Sequence, residues 1–517
     1  MIPLYSTKQI RKVDDYAVNK LGLQGIVLME NASREIFQNI VFHFKFSSIG
    51  IICGNGNNGG DGFAVARHFV NAGYKVVVVY LGPVNKMSKD CKLNYTVLKK
   101  MERFHKNLSV TKYKSINSLA IIKKTDLVCD ALLGSGAKGK LREPYLSIIK
   151  TINKINKIKV AIDIPTGLDV DKGYAEDIFT ADMTITLGGY KSGLFFGDGY
   201  LHSGEITKGS IGIPDSYLES LSTTEYMIEP EDAIVGLPQK KKNIHKYSAG
   251  KVLNIAGSES FPGAAILASK AAFKIGAGAS VLVFPKSVRN LVQKKLGEVV
   301  VHSYLDKETG YLLPENINGL ADNIKWADVL TIGPGIGRNE NTQRAVNNIL
   351  NSRKFKRAVI DADAIFAIRK ERFKKLDLKN LVLTPHHGEF SDLIGVSTKV
   401  LQMDLLKYGH SFVKKTEAYL VLKGAPTIIF TPNGDALINS SGNPALAKFG
   451  TGDVLSGMIG GLLAQQPDIE KAVVAAVYIH GLAADLLLKS KTEYSIMAGD
   501  LINHIPNAIN FLRKSVV

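Results

Sequence analysis

The sequence predicts an α/β protein made of two three-layer αβα domains in tandem. Two observations predict it. Short apolar runs of strand-like composition alternate with helix-like segments through both halves, the pattern of a parallel sheet covered by helices on both faces. The 48 glycines form no low-complexity tract and instead punctuate strand ends, where a turn must bring backbone close to a ligand.

Taken in order, the apolar run 49–53 is the first strand of this alternation, and 76–80, 126–131, 159–163 and 183–187 read as further buried strands. Residues 61–72, 88–101 and 144–155 read as the helices between them. From 213 to 246 the pattern lapses: Pro214, Pro230, Pro238 and the run Lys240, Lys241, Lys242 predict a linker over 216–240, between domains 1–215 and 241–517. Strands are then expected at 251–256, 280–284, 328–332, 357–361, 381–384 and 419–423. Three helices follow, around 452–464, 469–488 and 497–512. The halves share an architecture but no sequence period, which excludes a repeat protein.

Composition narrows the class. The chain has 517 residues, enough for two cores, and 45% are hydrophobic. No window approaches ~18 uninterrupted apolar residues, so no membrane span is expected. Residues 1–11 show neither a signal nor a transit peptide, and the expected location is cytoplasmic. Cys53, Cys91 and Cys129 have no metal-like spacing, and the expectation is buried, reduced thiols. The net charge of +18 is spread over the chain. It suits ligands with several phosphates, and no aromatic-interleaved platform points to nucleic acid.

Two glycine-rich turns carry the chemistry. The first is Gly54-Asn55-Gly56-Asn57-Asn58-Gly59-Gly60-Asp61-Gly62, directly after a strand. Gly54, Gly56 and Gly59 have dinucleotide-fingerprint spacing, which lets backbone N–H groups approach phosphate at a helix N-terminus. The acidic residue expected after the next strand is missing, since that strand runs into Gly82-Pro83, and this argues against a plain NAD dehydrogenase. Further polar groups follow successive strands: Asp130-Ala131-Leu132-Leu133-Gly134-Ser135-Gly136, Ile162-Asp163-Ile164-Pro165-Thr166-Gly167, and Lys191 with Gly193 beyond. Open parallel sheets place their ligand crevice there.

Together with Met29-Glu30-Asn31-Ala32-Ser33, these motifs resemble the NAD(P)H-hydrate epimerase family over nearly all of residues 1–215. The resemblance implies a Rossmann-like domain acting on NADH hydrate and NADPH hydrate, cofactors hydrated at C6 of the nicotinamide ring. It implies a potassium ion held by Asn58, Asp130 and Thr166. It also implies substrate contacts from Asn57, Asn58, Gly59, Gly60 and Asp61, from Gly134, Ser135, Gly136, Ala137, Lys138, Gly139 and Lys140, and from Asp163. The chemistry is consistent: a C6 hydroxyl beside the ring nitrogen is a hemiaminal, which the nitrogen lone pair can expel as water to give a planar iminium. Epimerisation then needs proton transfer near C6, for which Asp163 is the catalytic candidate and Lys191 a second polar group. The bland alternatives are a turn-forming or capping carboxylate for Asp163 and a solvated surface side chain for Lys191.

The second turn, Gly450-Thr451-Gly452-Asp453, opens a small-residue helix. N–H groups at such a helix start form an anion hole, and the aspartate can accept a proton from an attacking hydroxyl. Ala256-Gly257-Ser258, Phe261-Pro262-Gly263-Ala264-Ala265, Gly333-Pro334-Gly335-Ile336-Gly337, Asp361-Ala362-Asp363-Ala364, Thr384-Pro385-His386-His387-Gly388-Glu389 and Lys423-Gly424-Ala425-Pro426-Thr427 accompany it. This set resembles the ADP- or ATP-dependent NAD(P)H-hydrate dehydratases, with a ribokinase-like fold, over residues 225–517. The resemblance implies that Ala265, Gly335, His386 and the catalytic Asp453 line the hydrated cofactor. Lys423, Gly424, Ala425, Pro426, Thr427 and Gly452 would contact the nucleotide. Magnesium is expected because charge on a transferring phosphoryl group needs neutralising, with Glu389 the candidate ligand.

A chain with both resemblances is expected to be a bifunctional cofactor-repair enzyme and a homo-oligomer: the epimerase supplies the S form that the dehydratase consumes. Two alternatives are a vitamin kinase of hydroxyethylthiazole or pyridoxal type with a regulatory N-terminal half, and a nucleotide-binding scaffold like those of RNA decapping. Retention of Asp130, Asp163 and the turn Gly450 to Asp453 counts against a scaffold without activity.

Overall fold

The computed structural model describes the whole chain except Lys138, Val516 and Val517, with the side chains of Lys370 and Glu371 also outside the description. The chain divides into two compact units, Pro3–Glu225 with Gln402–Asp404, and Met1–Ile2 with Tyr226–Leu401 and Leu405–Val517.

The first unit holds a seven-stranded sheet in the order Leu108–Lys112, Lys75–Tyr80, Ser48–Cys53, Leu127–Ala131, Ile158–Ile162, Met183–Leu187, Glu205–Gly209. Every pair is parallel. Alternate side chains serve opposite faces. Ile49 and Ile51 pack with Ile36, Phe63 and Phe69 on one face, while Ile52, Val77 and Val79 pack with Ile148, Ile149 and Ile152 on the other. Burial of both faces explains why these strands read as continuous apolar runs. The winding direction reverses at Ser48–Cys53, and the crevice of an open parallel sheet forms at such a reversal.

The second unit repeats the logic. Seven parallel strands run in the order Val300–Tyr304, Ala279–Pro285, Lys251–Ile255, Val329–Ile332, Ala358–Ile360, Val382–Leu383, Tyr419–Leu422. Ile428–Phe430 and Ala436–Ile438 continue the sheet antiparallel. The reversal is at Lys251–Ile255, where Gly257 N donates to Pro334 O at 2.7 Å and Ser258 Oγ to Gly335 O at 2.9 Å. Helices Thr451–Leu463 and Ile469–Leu487 are buried over most of their length.

Residues 216–240, expected as a linker, hold the strand Glu225–Met227 and the helix Pro230–Val235. Pro230 starts that helix rather than breaking it. Proline is preorganised for a first turn, and Glu229 with Asp232 completes a capping box. The three cysteines are buried and unpaired. Among the described residues, no helix is long and apolar enough to cross a membrane.

Candidate active sites

In the first unit the turn after Ser48–Cys53 feeds helix Asn57–Asn71. A side chain at Gly59 would come 2.1 Å from Gly54 O, so only glycine lets the helix start this close to the strand. The helix N-terminus borders a cavity of about 630 Å³, lined in part by Asn57, Asn58, Asp61, Gly134, Ser135, Gly136, Ala137, Asp163 and Lys191. Gly59 and Gly60 are buried behind that wall. Lys140 is exposed and pairs with Glu176 at 2.8 Å. Gly139 takes a left-handed conformation beyond the lining residues, and Lys138 lies outside the described residues.

Asp163 and Lys191 meet in this cavity. Lys191 Nζ donates to Asp163 Oδ1 at 2.5 Å, to Leu187 O at 2.9 Å and to Thr186 Oγ1 at 3.1 Å. With its side chain 1% exposed, Lys191 is no surface lysine. Asp163 caps no helix; it follows the strand Ile158–Ile162 at φ 67°, a conformation uncommon for residues other than glycine.

Asp130 and Thr166 lie deeper. Thr166 N and Oγ1 both donate to the Asp130 carboxylate at 2.8 Å, and Leu132 N donates at 3.1 Å. Asn58 is buried with neither Oδ1 nor Nδ2 hydrogen bonded. Buried polar groups are normally satisfied.

The cavity also takes Arg11 and Asp14 from helix Thr7–Asn19, which the motifs did not point to. The Ser6/Gln9 capping box that starts this helix is visible in sequence, but the face it turns to the crevice is not. Burial pushes the Asp14 carboxyl up to about 6, with Asp163 and Asp15 acting in the same direction and Lys191 against them.

In the second unit Gly450 is left-handed at φ 92° and starts helix Thr451–Leu463. His480 Nε2 donates to Thr451 O at 3.0 Å, and burial pushes that ring down to about 4, keeping it neutral. No sequence signal marks His480, which sits within an apolar helix. Asp361 is the hub of the charges. It accepts from Lys423 Nζ at 2.8 Å, Thr384 Oγ1 at 2.8 Å and Ser456 Oγ at 2.6 Å. Burial works against the Lys423 ammonium, but Asp361, Glu389 and Asp453 outweigh it and raise its pKa. Asp453 is pushed up to about 7, first by burial and then by Asp361 and Asp363, while Lys423 offsets part of the rise.

The remaining expected residues are placed as follows. Ala265 is buried on helix Pro262–Lys274, and Gly335 is left-handed at φ 64°. A side chain at Gly452 would reach within 3.4 Å of Lys423 Nζ, and one at Gly424 within 2.9 Å of His387 Nε2. Ala425 and Pro426 share a cis peptide bond, and Thr427 Oγ1 donates to Gly424 O at 3.4 Å. His386 caps helix His387–Ile394, its Nδ1 accepting from Gly388 N and Glu389 N at 3.0 and 3.2 Å, and its outer edge is exposed. Glu389 Oε2 accepts from His386 N at 3.0 Å. Among the described residues no three His, Cys, Asp or Glu side chains form a metal-binding group.

Family models match both units: that for NAD(P)H-hydrate dehydratase over residues 252–507, and that for the YjeF-related protein N-terminus over residues 25–193. The two αβα units are Rossmann-like and ribokinase-like. A dehydratase from Bacillus subtilis, ADP/ATP-dependent and co-crystallized with ATP/Mg2+, aligns at 30% identity with a TM-score of 0.48, covering 56% of this chain and 100% of its own. The bifunctional NAD(P)H-hydrate repair enzyme Nnr of Moorella thermoacetica is 33% identical over 519 residues, 99% of this chain and 98% of its own. The enzyme of the same name from Thermofilum pendens is 32% identical over 510 residues, 98% and 96% of the two chains. Identity at this level, sustained through both units at once, makes the chain a member of the bifunctional NAD(P)H-hydrate repair enzymes.

Proposed function

We propose that the first unit interconverts the C6 epimers of NADH and NADPH hydrate, and that the second dehydrates the S form at the expense of ADP or ATP. In the first cavity the start of helix Asn57–Asn71 suits the cofactor's phosphates, and Asp163 with Lys191 supplies acid–base groups for the hydrated ring. The domains proposed are 1–215 and 241–517; because Ile228 and Ala233 belong to the core of the second unit, the fragment proposed to dehydrate one epimer on its own is 225–517. Asn58, Asp130 and Thr166 would hold potassium; the two unpartnered atoms of the Asn58 amide fit such an oxygen-ligand site. The ion would supply a fixed positive charge near the bound phosphates.

In the second unit Asp453 takes the proton of the S-form hydroxyl as its oxygen attacks the nucleotide's terminal phosphoryl group. Lys423, Gly424, Ala425, Pro426, Thr427 and Gly452 hold the nucleotide, while Ala265, Gly335 and His386 border the ring. The phosphate then leaves C6 with the C–O electron pair, C5 gives up a proton, and the dihydronicotinamide is restored. Magnesium would neutralise phosphoryl charge, with Glu389 the candidate ligand; such ions commonly take one or two carboxylates plus substrate oxygens.

The observation carrying this reading is a carboxyl poised near neutrality at the helix start after Gly450. Purified protein given mixed-epimer NADH hydrate should restore dihydronicotinamide absorbance only when ADP or ATP is added. Restoration without nucleotide, or none with either, contradicts the proposal.

A further inference from the structure

Four carboxylates, Asp14, Asp61, Asp90 and Asp163, line the first cavity together with Arg11, and three of them, Asp14, Asp61 and Asp163, act on one another and on one buried ammonium, Lys191. That ammonium is fully committed. It has three protons to donate, and they go to Asp163, Thr186 and Leu187. Asp61 lies in the first turns of helix Asn57–Asn71, is 8% exposed, and lines the cavity. Among the described residues nothing donates a hydrogen bond to it. A buried carboxylate is costly unless paired or hydrogen bonded, and like charges sharing one site cannot all ionise. Asp61 meets neither condition for carrying charge, and it faces the space where the substrate must lie.

Resting on the epimerase reading above, we propose that Asp61 is the proton donor of epimerisation, with Asp163 the charged partner that Lys191 holds in place. The groups acting on Asp61 agree. Burial comes first in raising its pKa well above the carboxylate range; Asp163 and Asp14 add to it, and only Lys191 opposes. Cys91, on helix Lys89–Met101, also faces it; burial pushes this thiol up to about 12, so it adds no charge. In the forward step the Asp61 proton passes to the C6 hydroxyl oxygen. The C6–O bond breaks with its electron pair, water leaves, and the nitrogen lone pair becomes the N=C6 bond. In the return step a water oxygen bonds to C6 from the opposite face, the N=C6 pair returns to nitrogen, and the water's proton goes to the Asp163 carboxylate, which passes it on to the Asp61 carboxylate. No oxidant or further reactant enters.

The test uses the full chain with Asp61→Asn and Asp61→Glu, and measures epimer interconversion by chromatography against pH. Calorimetric melting of the first unit serves as the folding control, and dehydration of purified S hydrate with nucleotide controls for the second unit. Asp61→Asn should slow epimerisation by about 10²–10⁴-fold, the range for a general acid, mainly in kcat. Asp61→Glu, which keeps an acid, should recover part of the rate with a displaced pH profile. An Asn variant within about threefold of the unaltered enzyme overturns the proposal, as does equal loss in both variants. Should Asp61→Asn fail to fold, a folded but inactive Asp61→Glu also overturns it. If the unaltered chain does not interconvert the epimers, the epimerase reading itself fails, whatever the variants do.

Discussion

Asp453 is held under opposing demands. As a base it must be ionised, yet burial and the neighbouring Asp361 and Asp363 push it up to about 7. Dehydration should therefore rise with pH through about 7, and Asp453→Asn should lower its rate about 10²–10⁴-fold. Stability should move the other way. A carboxyl with a raised pKa binds protons more tightly in the folded chain, so its contribution is lost as pH climbs from the usual carboxylate range through about 7. The Asn variant should then melt higher than the unaltered protein at pH 8, measured by calorimetry; lower melting together with near-normal activity would reduce Asp453 to a structural role. Asn58 offers a second test at this scale. Lithium in place of potassium should raise KM for epimerisation and leave dehydration unchanged, and Asn58→Ala should abolish that ion dependence. Identical kinetics in both salts would remove the ion from the account. Local motifs bring Asp163 and Asp453 forward from the sequence, and the structure sets each beside charged groups. Asp14 and His480 carry no such signal, because their surroundings depend on which distant elements they meet.

The elements are positioned by close backbone approach as much as by apolar burial. A side chain at Gly457 would sit 2.1 Å from Ala268 O, so helix Thr451–Leu463 lies directly against helix Pro262–Lys274. Gly457→Ala should force the pair apart at a cost of about 1–3 kcal/mol, the usual penalty for overpacking. Dehydration should fall because the Gly450 turn is carried by the same helix, while epimerisation is unchanged; equal loss of both activities would contradict this. Most buried strands were readable because both of their faces are apolar, and Met183–Leu187 falls where its run of residues places it. The edge strand Glu205–Gly209 was not, since its Glu-Ile-Thr-Lys-Gly sequence is only partly buried and shows no apolar run. Helix Pro230–Val235 was missed because its proline and charges resemble a linker until its capping box is seen in place.

At the scale of the whole molecule, two activities on one chain make chemical sense through a shared substrate. Hydration at C6 produces two epimers and a stereospecific dehydratase consumes one, so an epimerase replenishes the reactive form. The pairing was legible because each half carries its own dense set of strand-end motifs. How the charged groups of each site balance one another was not, since that balance is set by burial. The most direct test follows a mixed-epimer NADH hydrate to completion, with nucleotide present, using the unaltered protein and Asp163→Asn. The unaltered protein should consume the substrate completely. The variant should show a fast phase of normal rate, then a slow phase limited by spontaneous epimerisation, with only the R form left at the break between them. Consumption of both epimers by Asp163→Asn in a single phase of normal rate would contradict an epimerase role for the first unit's Asp163.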